Sequence, residues 1–230
     1  MSYDSEVLAD SPIGYWKLNE GTGTTAIDSG PNAKNGTYKA SPGLTVEGPF
    51  GALDKAMQIT AASKQFVEIP DVAALRWVDL VTHEFWIKEP AKIETNWVIG
   101  KGTNSLSSRI QNETIRMLKA NVGEAMRTTN NVITPTSPWT HVALVKNAAT
   151  TRLIYINGVV QAMTTSTQTG AETTGYLAIG KAGSTNEEYG TSQLSRVAIY
   201  KSALTAERVL KHYEAREVLT AGGPRIRMLV

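Results

Sequence analysis

The chain has 230 residues, 41% of them hydrophobic, with 23 basic and 21 acidic residues and a formal net charge of +2. One β-sandwich of this length is ordinary and a second domain is not required; the charge balance gives no reason to propose nucleic acid as a partner, and a chain without cysteine has neither disulfides nor thiolate chemistry. No apolar run approaches the roughly 20 residues of a membrane span, and Met1-Ser-Tyr-Asp-Ser-Glu6 lacks the basic and apolar regions of a signal peptide, so manufacture in a reducing cytoplasm is expected.

Tyr3 to Asp10 leads into a turn at Ser11-Pro12. Ile13–Leu18 reads as a strand with Trp16 and Leu18 on one face and Tyr15 and Lys17 on the other. The Gly-, Asn-, Asp- and Ser-rich run from Asn19 to Tyr38 is a loop region. Strands are expected from Met57 and over Gln65–Ile69, with one helical turn near Val72–Leu75. Thr82–Lys88 alternates cleanly, Phe85 and Ile87 against Glu84, Trp86 and Lys88. Trp97–Gly102 is a further strand, and Arg109–Gln111 with Thr114–Lys119 reads as a hairpin turning at Asn112-Glu113.

Asn130–Pro138 is a loop that delivers the chain to its most strongly patterned stretch, Trp139–Gln161. Two runs of β-branched and aromatic residues flank a small turn at Ala148–Thr151. Asn157-Gly158, a dipeptide suited to positive φ, then leads into a third run. That order is an antiparallel meander. Its first strand is apolar on both faces, Trp139, Ala143 and Val145 against Val142 and Leu144, the pattern of a central strand covered twice. His141 shares the Trp139 face and reads as a hydrogen-bonded structural histidine.

Downstream, Thr164–Thr174 is a polar connection, Tyr176–Gly180 a strand, Ala182–Thr191 a loop and Gln193–Tyr200 a closing strand. Ser202–Tyr213 reads as a short helix, with Thr205 as N-cap, Glu207 in the first turn and an apolar stripe of Val209, Leu210 and Tyr213. Ala221-Gly-Gly-Pro224 breaks any helix. Arg225–Val230 is strand-like and able to fold back or to add to a neighbour's sheet edge.

Trp139-Thr-His-Val-Ala-Leu144 followed by Leu153-Ile-Tyr-Ile-Asn-Gly158 resembles the laminin-G-like, concanavalin A-like jelly-roll domains. The resemblance runs from about Val7 to Ala215. It implies an all-β fold, a two-sheet antiparallel sandwich with one short C-terminal helix, as domain 1–215 followed by an arm at 216–230. Val7-Leu-Ala-Asp-Ser-Pro12, Tyr15-Trp-Lys-Leu18, Asp28-Ser-Gly30 and Gly36-Thr-Tyr38 resemble the opening of such domains in tail and capsid-associated proteins of bacteriophages. The implied function is a non-enzymatic structural or binding module of a virion, a capsid decoration or minor tail protein made in the host cytoplasm. Its partners would be other virion proteins or copies of itself, tied by Arg225, Ile226, Arg227 and Met228 of the arm. A cell-surface glycan is a further expected partner, and a carbohydrate-binding adhesin outside a virion is the alternative placement.

Glycoside hydrolases also use this fold, and they need two carboxylates about 5 to 10 Å apart. Hydrolases of the fold that the resemblance implies carry Glu-x-Asp-x-x-Glu in one strand, a run that does not occur here. Glu84 and Glu89 fall on opposite faces of a regular strand, Glu187 and Glu188 are adjacent in a loop, and both pairs read as solvated charges. No nucleophile elbow, phosphate loop, dinucleotide fingerprint or zinc-ligand spacing is present. The expectation is therefore not an enzyme.

The resemblance implies calcium as the one cofactor to consider, held at the sandwich rim by carboxylates and carbonyls. Asp28 and Asn32 are the ligands it would use, an Asx-type turn being the other role for Asp28. The family's closing strand often reads Gly-x-Ile-Asp-Glu-Val; here Ser195 and Arg196 replace both acids, which argues against a site dependent on them. A sugar needs an aromatic platform with polar neighbours. Trp77, Trp97 and Tyr189 are the aromatics least claimed by the core pattern, with packing as their alternative role.

Overall fold

In a computed structural model the chain is described except at residues 93, 103–104, 120–122, 148–150, 185, 219–225 and 228–230; at 151, 217–218 and 226–227 only the backbone is described. The strands form two large antiparallel sheets and one small ribbon. Sheet A runs in the order Val159–Val160, Thr151–Ile156, Thr140–Asn147, Val81–Lys88, Ser192–Tyr200, Gly51–Ile59 and Gly43–Gly48, with Gly14–Trp16 also paired to Ser192–Tyr200. Sheet B runs Met163–Thr165, Gly123–Thr128, Thr114–Lys119, Leu106–Gln111, Thr95–Lys101, Leu177–Ile179, Phe66–Ile69, Gly36–Lys39 and Thr25–Ala26.

Strand alternation decides which side chains meet between the sheets. Phe85, Ile87, Val142 and Leu144 of sheet A share one core with Ile110, Ile115, Met117 and Ile179 of sheet B. Trp16 and Leu18 join that core, while Tyr15, one position away, points to the other side of sheet A. The Thr140–Asn147 strand lies between Val81–Lys88 and Thr151–Ile156 and is covered on both faces, as its doubly apolar pattern implies.

The second cover on sheet A is helical. Helix α1 (Tyr3–Ala9) and helix α2 (Ala206–Glu214) lie over its outer face. Both have side-chain N-caps: Ser2 Oγ accepts from Ser5 N at 3.3 Å, and Thr205 Oγ1 from Arg208 N at 3.2 Å. Tyr3 and Val7 of α1 and Val209 of α2 pack with Phe50, Trp86, Val145 and Tyr200. Helix α1 is an addition to the one helix expected; seven residues span too few turns to show a period in the sequence.

Two tight turns follow their sequence signals. Asn157 and Gly158 have φ of 52° and 79°, and Asn112 and Glu113 have φ of 49° and 64°, the left-handed pair that a two-residue hairpin needs. A Cβ at Gly158 would sit 2.8 Å from Leu210 Cδ1, so this hairpin tip is seated directly against α2. The arm folds back: Ile226–Arg227 pairs antiparallel with Glu217–Val218. Arg225 and Met228 lie outside the described residues, as do residues 148–150 of the expected turn.

Where the resemblance places two acids on the closing strand, this chain has a β-bulge, with Arg196 at φ 51°. Its guanidinium turns to the neighbouring strand, Nη1 and Nη2 donating to Asp54 at 2.9 and 2.7 Å over the Phe50 ring. The charge is buried and forked onto one carboxylate, the geometry in which arginine pairs most strongly.

Candidate ligand-binding cleft

The outer face of sheet A is built around Glu84. It is fully buried, a correction to its expected place as a solvated charge. Oε1 accepts from Tyr3 Oη at 2.9 Å and pairs with His141 Nε2 at 2.8 Å, and Oε2 accepts from Tyr200 Oη at 2.8 Å. His212 Nδ1 lies 3.0 Å from both oxygens, and its Nε2 lies 3.0 Å from Asp10 of the α1 C-cap. Burial alone would raise the Glu84 carboxyl. The charge of His212 and the hydrogen bonds from His141 and His212 outweigh it and hold the group far below its ordinary value. Burial likewise opposes charge on His212, but Glu84 and then Asp10 raise it on balance, against Arg208. A histidine with a carboxylate at each nitrogen thus ties both helices to the sheet. Arg208 adds to the tie through Asp10 and Glu6.

Beside this network the same face opens into a cleft of about 420 Å³. Trp86 stands opposite His141 across the central strand pair. The Tyr213 ring stacks on both, its centroid 6.1 Å from Trp86 and 6.0 Å from His141. Arg216 lies over Tyr213 at 3.8 Å, and its Nη1 donates to the Tyr213 carbonyl at 2.9 Å. Half-buried Trp139 forms another wall, its indole N–H donating to the Glu47 carbonyl at 3.2 Å. Asn157 completes the lining and fixes its own Oδ1 on His141 N at 2.9 Å. The indole Nε1 of Trp86 is buried with no hydrogen-bond partner among the described residues. An unmet buried donor costs about 1–3 kcal/mol.

None of the residues expected to form a sugar platform lines this cleft. Trp77 is packed with the inter-sheet core, edge-on to His83, its indole donating to the Leu106 carbonyl at 3.1 Å. Trp97 is buried on the outside of sheet B and donates to Glu188 at 2.7 Å. Tyr189, half-buried in the loop that carries Glu188, bonds Glu187 and joins Phe66 and Tyr176 around the Lys181 ammonium. The aromatics that do gather in the cleft have sequence positions that read as packing: Trp86 and Trp139 on one face of adjacent strands, Tyr213 on the helix stripe.

Asp28 and Asn32 organise their own loop. Asp28 Oδ1 accepts from Tyr15 N at 2.9 Å and Gly30 N at 2.8 Å, Oδ2 accepts from Lys34 N at 2.7 Å, and Asn32 donates to the Ile13 carbonyl at 2.8 Å. Among the described residues no group of three or more His, Asp or Glu is placed to hold a metal. Glu89, also expected as a solvated charge, is 1% exposed. Burial, then the charge of Glu113, against a hydrogen bond from Asn96, leaves its carboxyl pushed up to about 7.

The family model described as the concanavalin A-like lectin/glucanases superfamily matches residues 61–210. The chain belongs to this superfamily. No curated protein sequence matches it. Among solved structures it is similar to the binding domain of Paraclostridial Mosquitocidal Protein 1, with a TM-score of 0.70 and 14% identity over 90% of this chain and 53% of that one. It is similar to botulinum neurotoxin type C, whose penetration of cells depends on interaction with two ganglioside molecules, with a TM-score of 0.65 and 13% identity over 89% and 51% of the two chains. The chain therefore spans about half the length of these toxin structures. It also matches domain 4 of AbnA, an extracellular arabinanase of Geobacillus stearothermophilus in complex with arabinotriose, with a TM-score of 0.63 and 18% identity over 88% of this chain and 98% of that domain. At these identities the likeness establishes the jelly-roll fold of the superfamily.

Proposed function

We propose that the chain is a non-catalytic, glycan-binding jelly-roll module that takes a short saccharide in the cleft of Trp86, Trp139 and Tyr213. The observation that carries this reading is a cleft lined by the aromatic side chains of Trp139, Tyr213 and Trp86, with Arg216 and Asn157 at hand for hydroxyls. Sugars present apolar ring faces and hydroxyl edges, and both are served there. The arabinotriose complex of one similar fold and the ganglioside dependence of another support a glycan as the ligand class. Hydrolysis needs two carboxylates across the bond. Glu47 is the one carboxylate among the described lining residues, and both oxygens of Glu84 are engaged beneath the helices. A glycan array followed by titration of the hits tests the reading. Trp139→Ala and Trp86→Phe, the second shrinking the aromatic wall while keeping a ring, are expected to weaken binding about tenfold. An array without hits, or variants that bind as the parent does, would refute it.

Within this reading the module sits on a bacteriophage particle, as the likeness of its opening segment implies, and the fold-back arm meets its neighbours there. Deleting residues 222–230 is then expected to lower occupancy on particles while the domain stays folded. Normal occupancy of the truncated protein would remove the arm's role, and absence of the full chain from particles would remove the virion placement and leave a lectin-like adhesin.

A further inference from the structure

The outside of sheet B carries a row of like charges. Trp97, Arg109, Arg116 and Arg127 stand directly opposite one another on four successive strands. Their alternate neighbours Ile110, Ile115, Met117 and Met126 point into the core, so the row faces outward. Adjacent strands lie about 4.8 Å apart, and like charges directly opposite each other destabilise a sheet.

Acids offset the row only in part. Glu124 pairs with Arg116 and, at 3.6 Å, with Arg127. Arg109 lies over the Trp97 ring, 5.2 Å from its centroid, and donates from Nη2 to Gln111 at 2.7 Å. Its Nε is buried with no hydrogen-bond partner among the described residues. Burial and the charge of Arg116 push this guanidinium below its ordinary value, while Glu188 and Glu124 act on it through charge alone. Past Arg127 the row opens into a depression of about 220 Å³ lined by Glu124, Arg127 and the exposed hydroxyls of Thr164, Thr165 and Ser166. Arg127 Nε donates to Thr164 Oγ1 at 3.2 Å, which orients the guanidinium along that rim.

We infer that this row is a second glycan-binding surface, one for an acidic oligosaccharide laid across the strands, its carboxylates on Arg109 and Arg127 and its hydroxyls on Thr164 and Ser166. Planar guanidinium forks match carboxylates. The interspersed Glu124 and Glu188 favour one charge per sugar over a dense polyphosphate. The surface lies on the opposite sheet from the aromatic cleft and does not depend on it.

The test is titration of the whole chain with tetragalacturonate, its methyl ester and inorganic tripolyphosphate, read by calorimetry and by chemical shifts. The acid is expected to bind, more weakly at higher salt, and the ester and tripolyphosphate to bind roughly tenfold more weakly or not at all. Arg109→Gln and Arg127→Gln should each weaken the acid severalfold, while Trp139→Ala leaves it unchanged. Arg127, with a side chain 45% exposed, can be replaced without disturbing the fold, so R127Q decides the matter if R109Q misfolds. The proposal is overturned if the acid does not bind, if ester or tripolyphosphate binds as well, or if R127Q binds like the parent.

Discussion

The two sheets treat charge on their outer faces in opposite ways. On sheet A, Glu84 is taken fully out of water and surrounded by two imidazoles and two phenols, so that helices α1 and α2 become its counter-charge as well as its cover. On sheet B, Arg109, Arg116 and Arg127 face one another with a shared glutamate and an aromatic ring as their main relief. A buried, neutralised charge ties together the elements that supply its partners, because removing one partner leaves the rest uncompensated. A row of half-solvated like charges contributes little to folding and stays available to something outside the chain.

That contrast can be broken experimentally, and Glu84→Leu should break it most severely. It strands His212, His141, Tyr3 and Tyr200 in a site shaped for a carboxylate, and a loss of about 3–5 kcal/mol is expected from denaturant titration. An equal loss on replacing Arg127 would erase the distinction between the faces.

Next in size is the pH response. The folded value of His212 is raised above its ordinary 6.5, so its stabilisation is complete below 6.5 and lost as pH climbs through the raised value. Glu84, held below its ordinary 4.5, contributes fully above 4.5 and loses that contribution as pH falls through its lowered value. Thermal unfolding of the parent should therefore weaken on the alkaline side, and His212→Gln should flatten that limb. Glu89 adds to the same slope: with its folded value raised to about 7, stability declines between 4.5 and 7, a decline that Glu89→Gln should remove.

Smaller still is Thr205→Ala, which removes the α2 cap and should cost about 1 kcal/mol by denaturant titration. Arg127→Ala, on the other face, should change stability by no more than about 0.5 kcal/mol.

Much of the sandwich can be read from the sequence because alternation is a local signal. Phe85 and Ile87 against Trp86, Val142 and Leu144 against Ala143 and Val145, and Asn157-Gly158 at a left-handed turn all declare themselves within a few residues. The Glu84 site is not local. Its partners come from Tyr3, His141, Tyr200 and His212, and only the Tyr200 and His141 positions share paired strands with its neighbourhood. One signal was available: a strand apolar on both faces needs a cover on each, and Glu84 stands opposite Ala143 on the face that this second cover must bury. The cleft stays hidden for a related reason. Trp86, Trp139 and Tyr213 look like core residues one strand at a time, and the open space between them arises only from how α2 is set down. The arginine row depends on strand register, which no single strand specifies.

Arg208 bonds Glu6 across 202 positions of sequence, and the first and last helices rest on each other over sheet A. On the ribosome, α1 would emerge early and wait without its seat until α2 has been made. Until then Glu84 stays hydrated and the outer side of the central strands is open to chaperones or to sister chains. Contacts of such long span are slow to close, so the final locking of this layer follows the making of α2, well after the sandwich beneath it can have begun to pair.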